Sequence, residues 1–302
     1  AGLLGDVLRL EVDYRLHGLL DEQTYQRQVD TLMTLLPVRL ASKKGFVPPA
    51  AERAVVAARA WAGAPVSVPG LPGGAPVAAA SHVGHRRSEN MDEAALAAHI
   101  DANGVVDRIG VVVADGVGSL PGSGVGAQEA AIAGAYYLAN PERLGSPVQV
   151  TQRAAEKART AVRAAGPRID TTYTSVLLTR VGSDDWKVTL GWAGDTAVYY
   201  VTSDRAVQLT VPHRGLRKNQ ITRTLRHPID TVDDRFRLIP GAKGVLVVAT
   251  DGLTAHLADD PHILPELPGL LRNHLSDPVA ATRVLLDYAL AHGGKDNIGV
   301  AV

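Results

Sequence analysis

Apolar residues recur at helical spacing early in the chain and in short β-branched runs further along it. Leu4, Leu8, Val12 and Leu16 share one helical face, and Gly18 stops that helix. Asp21 caps a second helix through Tyr25, Val29, Leu32 and Leu36, with Pro37 just beyond it. The spacing therefore predicts a helical hairpin over 4–36. A third, alanine-rich helix is expected over 49–61, with Pro49 in its first turn. Residues 63–76 carry Gly and Pro too densely for helix or strand and read as a linker.

Beyond residue 77 the pattern changes. Strands are predicted over 77–81, 109–114, 174–180, 187–193, 197–202, near 206, 244–250 and 298–302. Helices are predicted over 126–139, 151–165 and 278–292. Asp277 and Pro278 supply the cap and first position of the last helix, and Gly293 lies past its end. The strands at 174, 187, 197 and 206 follow one another across short polar turns, which predicts an antiparallel meander. Small side chains on the alanine-rich helices allow close packing on sheets. The class is α+β, with helices layered on antiparallel sheets.

Two of the strand runs end alike, in Val111-Val112-Val113-Ala114-Asp115-Gly116 and Val247-Val248-Ala249-Thr250-Asp251-Gly252. A third carboxylate, Asp296, precedes the terminal strand. Carboxylates delivered to strand ends from distant segments suit a hard divalent cation, which prefers oxygen ligands.

Composition narrows the options. The 302 residues hold 31 basic and 31 acidic side chains, so no net charge draws the chain to nucleic acid or an anionic membrane. The absence of cysteine excludes disulfides and thiolate metal sites. No apolar stretch approaches the roughly 20 residues of a membrane span, and no basic-then-apolar leader opens the sequence. The expected location is cytoplasmic, with no nucleic-acid or membrane partner.

Arg87-Ser88-Glu89-Asn90-Met91-Asp92, Asp115-Gly116-Val117-Gly118, Gly194-Asp195-Thr196, Asp251-Gly252-Leu253 and Asp296-Asn297 occur in one order along the chain. In order and approximate spacing they resemble the motifs of the metal-dependent serine/threonine protein phosphatases of the 2C type, in their bacterial form, over roughly residues 77–302. The resemblance implies a four-layer α-β-β-α sandwich, two antiparallel sheets flanked by helices, with two Mn²⁺ or Mg²⁺ ions at one end. It implies Asp115 as the bridge between the ions, the Gly116 carbonyl completing one shell, and Asp251 and Asp296 on the other ion. Asp195 would be a weak additional metal ligand or an ordinary turn residue. Asp92 would orient water, as outer-shell carboxylates do, and Arg87 would hold the substrate phosphate with its planar fork. Two cations roughly 3.5–4 Å apart would acidify a water and neutralise the phosphoryl oxygens during in-line displacement.

Three departures from the family pattern stand beside these residues. Met91 replaces an acid or amide, Ala255 replaces the aspartate of a third, weaker ion, and Val117 stands where animal members carry a proton-donating histidine. The third cation site is therefore incomplete. The implied organisation is a helical extension over 1–62, a linker over 63–76 and a phosphatase domain over 77–302. The implied activity is hydrolysis of phosphoserine and phosphothreonine on proteins, opposing a Ser/Thr kinase; the alternative is a catalytically weak regulatory module with the same fold.

Two further segments carry charge or chemistry. Residues 213–227 hold five Arg or Lys and no acid. They read either as a solvated face or as an electrostatic guide for phosphorylated protein. Aromatic interleaving for nucleic acid is absent there. His82 and His85 share no helical face and read as surface histidines. Residues 16–25 look like the helical modules at the ends of bacterial proteins that mediate association, with a packed helical brace as the alternative.

Overall fold

The computed structural model describes residues 56–59, 66–67 and 76–302, except 102, 104, 119, 121, 141–144, 182–185, 216–219, 239–243, 256 and 258–265. The helical hairpin expected over 4–36 lies outside the described residues. The chain divides into two compact units, Ala1–Val56 and Ala57–Val302, and the hydrophobic core belongs to the second.

In chain order the first strands are β1 (Val56–Arg59), β2 (Val66–Ser67), β3 (Ala78–His82), β4 (Asp92–Ile100) and β5 (Val106–Asp115). Helices α1 (Ser123–Ala139) and α2 (Pro147–Ala165) come next, then β6 (Tyr173–Arg180), β7 (Trp186–Ala193), β8 (Ala197–Thr202) and β9 (Ala206–Gln208). The chain closes with β10 (Asp230–Leu238), β11 (Gly244–Ala249), α3 (Asp251–Thr254), α4 (Glu266–Leu271), α5 (Pro278–Ala291) and β12 (Ile298–Ala301). One sheet has the order β1-β4-β5-β6-β7-β10 and the other β2-β3-β12-β11-β8-β9.

The two sheets pack face to face. Leu96, Val111, Val113, Val176, Val188 and Leu190 from the first meet Ala79, Val198, Val248 and Ala301 from the second. On the outer face of the first sheet, α1 lies on β4, β5 and β6, and α2 packs on α1 and β7. Ala127, Ala130 and Ala131 of α1 are fully buried, and their small side chains let helix and sheet approach closely. On the outer face of the second sheet, Leu267, Leu271, Leu285 and Leu286 of α4 and α5 cover Tyr199, Val247, Ile298 and Val300. Each fully buried Leu contributes roughly 1.5–3 kcal/mol of transfer free energy. The result is the expected helix–sheet–sheet–helix sandwich. Among the described residues no helix is long and apolar enough to cross a membrane.

Several local expectations give way to tertiary context. The helix expected over 49–61 is overturned where it is described: Val56–Arg59 is an edge strand beside β4. Alanine favours helix only weakly, and a sheet edge overrides it. Within the expected linker, Val66 and Ser67 pair with Ala79 and Ala78 of β3. The single meander expected from 174 to 208 is two hairpins in different sheets: β6 pairs with β7, and β8 with β9. Gly194, with φ 122, stands where the chain crosses between sheets. Helix α2 begins earlier than expected because Ser146 and Gln149 form a reciprocal capping box around Pro147 in the first turn. The predicted cap of α5 forms, Ala280 N–H donating to Asp277 Oδ1 at 3.0 Å.

Candidate active site

The sandwich gathers Asp92, Asp115, Asp195, Asp251 and Asp296 at one end of its sheets. Asp92 opens β4, Asp115 closes β5, and the antiparallel register sets them directly opposite each other. Side chains so paired stand about 5 Å apart, so two like charges would face each other. Asp251 comes just after β11 and Asp296 just before β12, two strands that pair with Ala249 opposite Val300. Asp195 sits in the crossing turn between β7 and β8.

Backbone bonds fix these carboxylates from behind. Asp115 N–H donates to Thr172 Oγ1 at 2.9 Å. Its carbonyl accepts from Thr171 Oγ1 at 2.8 Å and from Thr172 N–H at 2.8 Å. Thr172 Oγ1 also lies 3.0 Å from Thr196 Oγ1, linking the Asp115 support to the turn that carries Asp195. Gly116 N–H donates to the Met91 carbonyl at 3.0 Å. A Cβ on Gly116 would stand 2.7 Å from the Ser123 carbonyl oxygen, and one on Gly252 would run into the Asn297 carbonyl. Glycine after each aspartate therefore answers a close backbone approach as well as a turn.

Asn297 ties the rim to the sheets. Its amide nitrogen donates to the carbonyls of Val83 (2.9 Å) and Glu89 (2.8 Å), and its Oδ1 accepts from Met91 N–H at 3.0 Å. The loop so pinned carries Arg87, whose Nη2 donates to Asp296 Oδ2 at 2.7 Å with 45% of its side chain exposed. That bond, reinforced by Asp251 and Asp115, holds the guanidinium pKa above its ordinary value.

The electrostatics are those of crowded, buried acids. Burial, helped by Asp251 and Asp296, pushes Asp92 up to about 8, against the opposing hydrogen-bonding influence of Thr250 and Asp115. Asp115 is raised well above the carboxylate range by burial first, then by Asp92, Asp251 and Asp195. Asp251 rises to about 6 through burial and through Asp195 and Asp296, with Arg214 and Arg87 opposing the shift. Every one of these groups would be relieved by added positive charge.

The donor set fits hard divalent cations. All five side chains offer carboxylate oxygen, the donor such cations prefer. Asp92 (5% exposed) and Asp195 (3% exposed) each leave one oxygen, Oδ2 and Oδ1 respectively, buried without a hydrogen-bond partner. Such orphaned acceptors are costly unless something positive meets them. Among the described residues, three or more acidic or histidine side chains do not converge into a closed cation cage. Among the described residues, the positive charge in contact with the cluster is Arg87 on Asp296 and Arg214 on Asp195.

The other residues that the sequence singles out take structural places around this cluster. Met91 contributes its backbone, accepting from Gly116 and donating to Asn297. Ala255 N–H caps the first turn of α3 at the Asp251 carbonyl, 2.8 Å away, and brings no acid there. Val117 N–H donates to the Asp170 carbonyl at 3.1 Å. His82 Nδ1 accepts from Gly84 N–H at 2.9 Å, while His85 is exposed. The basic segment is less free than its charge count suggests. Arg223 pairs with Asp230 at 2.8 Å and Arg226 with Asp170 at 3.3 Å. Arg217 and Lys218 lie outside the described residues. Thr171 and Thr172 receive no role from sequence, Asn297 enters there only as the neighbour of Asp296, and Arg214 only as one charge of the basic segment; the polar run Asp170-Thr171-Thr172 ahead of a buried strand is the signal for the threonines.

Comparison with known proteins bears on family and fold. A family model described as protein phosphatase 2C matches residues 83–285. Among solved structures, the Streptococcus agalactiae serine/threonine phosphatase aligns at TM-score 0.58 and 20% identity, covering 74% of this chain and 97% of that one. PppA, a regulatory component of the type VI secretion system of Pseudomonas aeruginosa, aligns at TM-score 0.55 and 24% identity over 74% and 95%. The catalytic domain of PstP, solved with two manganese ions, aligns at TM-score 0.54 and 18% identity over 74% and 95%. Among curated proteins, no sequence matches the chain closely.

Proposed function

The chain belongs to the protein phosphatase 2C family, and from that premise we propose that it hydrolyses phosphoserine and phosphothreonine on proteins with two Mn²⁺ or Mg²⁺ ions, opposing a Ser/Thr kinase. The observation that carries this reading is the Asp92–Asp115 pair, two acids set opposite each other, with Asp251, Asp195 and Asp296 close enough to shift them. Uncompensated, that cluster opposes folding; with divalent cations it becomes a reason to fold.

Asp115, the Gly116 carbonyl, Asp251 and Asp296 would hold the ions, with Asp195 at the margin. When bound, the ions would supply an acidified water and neutralise charge on the phosphoryl group. Arg87 keeps guanidinium N–H groups beyond the one that bonds Asp296 and would use them to fix the phosphate oxygens in line. Asp92 Oδ2 would accept a hydrogen bond from the attacking water and set its direction. Val117 offers no proton, so the departing serine or threonine oxygen would take one from solvent.

Hydrolysis of p-nitrophenyl phosphate by the full chain in Mn²⁺ tests the reading. Asp115→Asn is expected to lower kcat by roughly a thousandfold, and excess EDTA to abolish turnover in the wild type. Turnover that survives both treatments would sink the proposal.

A further inference from the structure

Of the arginines near the carboxylate cluster, Arg214 is the one whose chemistry is still open. Its Nε lies 3.4 Å from Asp195 Oδ2, a long contact, and 48% of its side chain is exposed. Among the described residues neither Nη nitrogen has a protein partner. Arg223 and Arg226, in the same segment, are instead turned to Asp230 and Asp170.

The backbone beneath Arg214 is fixed with more care than a solvated arginine requires. His213 N–H donates to the Gly194 carbonyl at 2.8 Å, and His213 Nδ1 accepts from Gly194 N–H at 3.1 Å. The same ring stacks on Trp192 and meets Asp230 through Nε2 at 2.9 Å. Because Nδ1 accepts, the proton sits on Nε2 and is donated to Asp230. On the other side, Arg214 bridges to Ile221, and Gly215 N–H donates to the Gln220 carbonyl at 2.7 Å. Residues 213–215 thus pair with 220–222, and His213 docks this pairing on the turn that carries Asp195.

We propose that Arg214 is a second phosphate-binding arginine, anchored through Nε on Asp195 as Arg87 is anchored through Nη2 on Asp296, and presenting its free Nη groups to the phosphoryl oxygens of a phosphomonoester. This rests on the phosphatase reading. A planar guanidinium held at one nitrogen keeps the rest of its fork for a second, bidentate partner. A phosphomonoester dianion has three peripheral oxygens, more than Arg87 alone engages. Two arginines anchored on separate carboxylates would fix its orientation as well as its position. The competing role is a counter-charge that merely steadies Asp195.

The test titrates inorganic phosphate into full-length wild type, Arg214→Ala and Arg214→Lys by calorimetry, with and without Mn²⁺. Melting temperatures and p-nitrophenyl phosphate kinetics are measured on the same samples. A charge-assisted bond to phosphate predicts that Arg214→Ala weakens phosphate binding roughly tenfold or more and raises KM by a similar factor, with Arg214→Lys between. The melting temperature should stay within a degree or two of wild type. Unchanged phosphate affinity in Arg214→Ala overturns the assignment, and a lowered melting temperature with unchanged affinity replaces it by the steadying role. Phosphate titration reads Arg214 without turnover, so an inactive wild type would sink the phosphatase reading separately.

Discussion

At the scale of single residues the site is a problem of charge in a confined space. Asp92 and Asp251, pushed up to about 8 and about 6, stand above the roughly 3.9 of an unfolded aspartate. In the metal-free protein the folded state therefore keeps protons that the unfolded state has released. These groups' contribution to stability is accordingly fully present below about pH 4 and is lost as pH rises through about 6 and then about 8. Mn²⁺ should remove that loss. The shift in melting temperature on adding Mn²⁺ is thus expected to grow between pH 5.5 and 8.5, and a shift that is flat across that range would contradict the assignment. Gly252 offers a second check. Gly252→Ala would push a Cβ into the Asn297 carbonyl, with an expected cost of roughly 1–3 kcal/mol by chemical denaturation and a weaker hold on Mn²⁺. Asp115 and Asp251 are legible in the sequence because each ends an apolar run with Asp-Gly. Asn297, Thr171 and Thr172 are not, since a supporting amide or hydroxyl has no pattern of its own until its partners are in place.

Elements succeed or fail as predictions according to how far their neighbours determine them. Strands β5, β6, β8 and β11 are β-branched and buried, and their pattern announces them. Strand β4 reads Asp-Glu-Ala-Ala-Leu-Ala-Ala-His-Ile, with alanines that favour helix. It is a strand because it runs between β1 and β5 and under α1, where only small side chains fit on the covered face. The meander fails for a related reason: the turn at 194–196 changes sheets, and local polarity cannot distinguish that from a hairpin. Yet that crossing is what brings Asp195 to the cluster. Two element-level outcomes separate support from scaffold. Thr172→Val removes the acceptor of Asp115 N–H and the contact to Thr196, and is expected to cost about 1–3 kcal/mol and to weaken Mn²⁺ binding. Ser146→Ala removes the α2 cap and should cost about 1 kcal/mol while leaving Mn²⁺ affinity and turnover unchanged. Equal effects of the two on Mn²⁺ affinity would contradict the division.

For the whole molecule, the sandwich works as a device for bringing carboxylates from separated segments to one end. Strand ends at 92, 115, 251 and 296 converge because β4 and β5 pair in one sheet, β11 and β12 pair in the other, and the sheets face each other. The order of the motifs along the sequence carries that much of the fold. The position of Arg214 depends on contacts between residues far apart in the chain, such as His213 with Gly194, and no local pattern encodes it. Two of the three departures beside the site, Met91 and Ala255, bear on the number of ions and the rate rather than on the frame, since both contribute backbone bonds that any residue could make.

The central claim is that this carboxylate cluster exists to hold two divalent cations, and calorimetric titration of Mn²⁺ into the chelator-treated full chain addresses it most directly. The account predicts two ions per chain, protons released on binding because Asp92, Asp115 and Asp251 must ionise, and loss of the high-affinity step in Asp115→Asn. No binding, or binding that Asp115→Asn leaves intact, would contradict it.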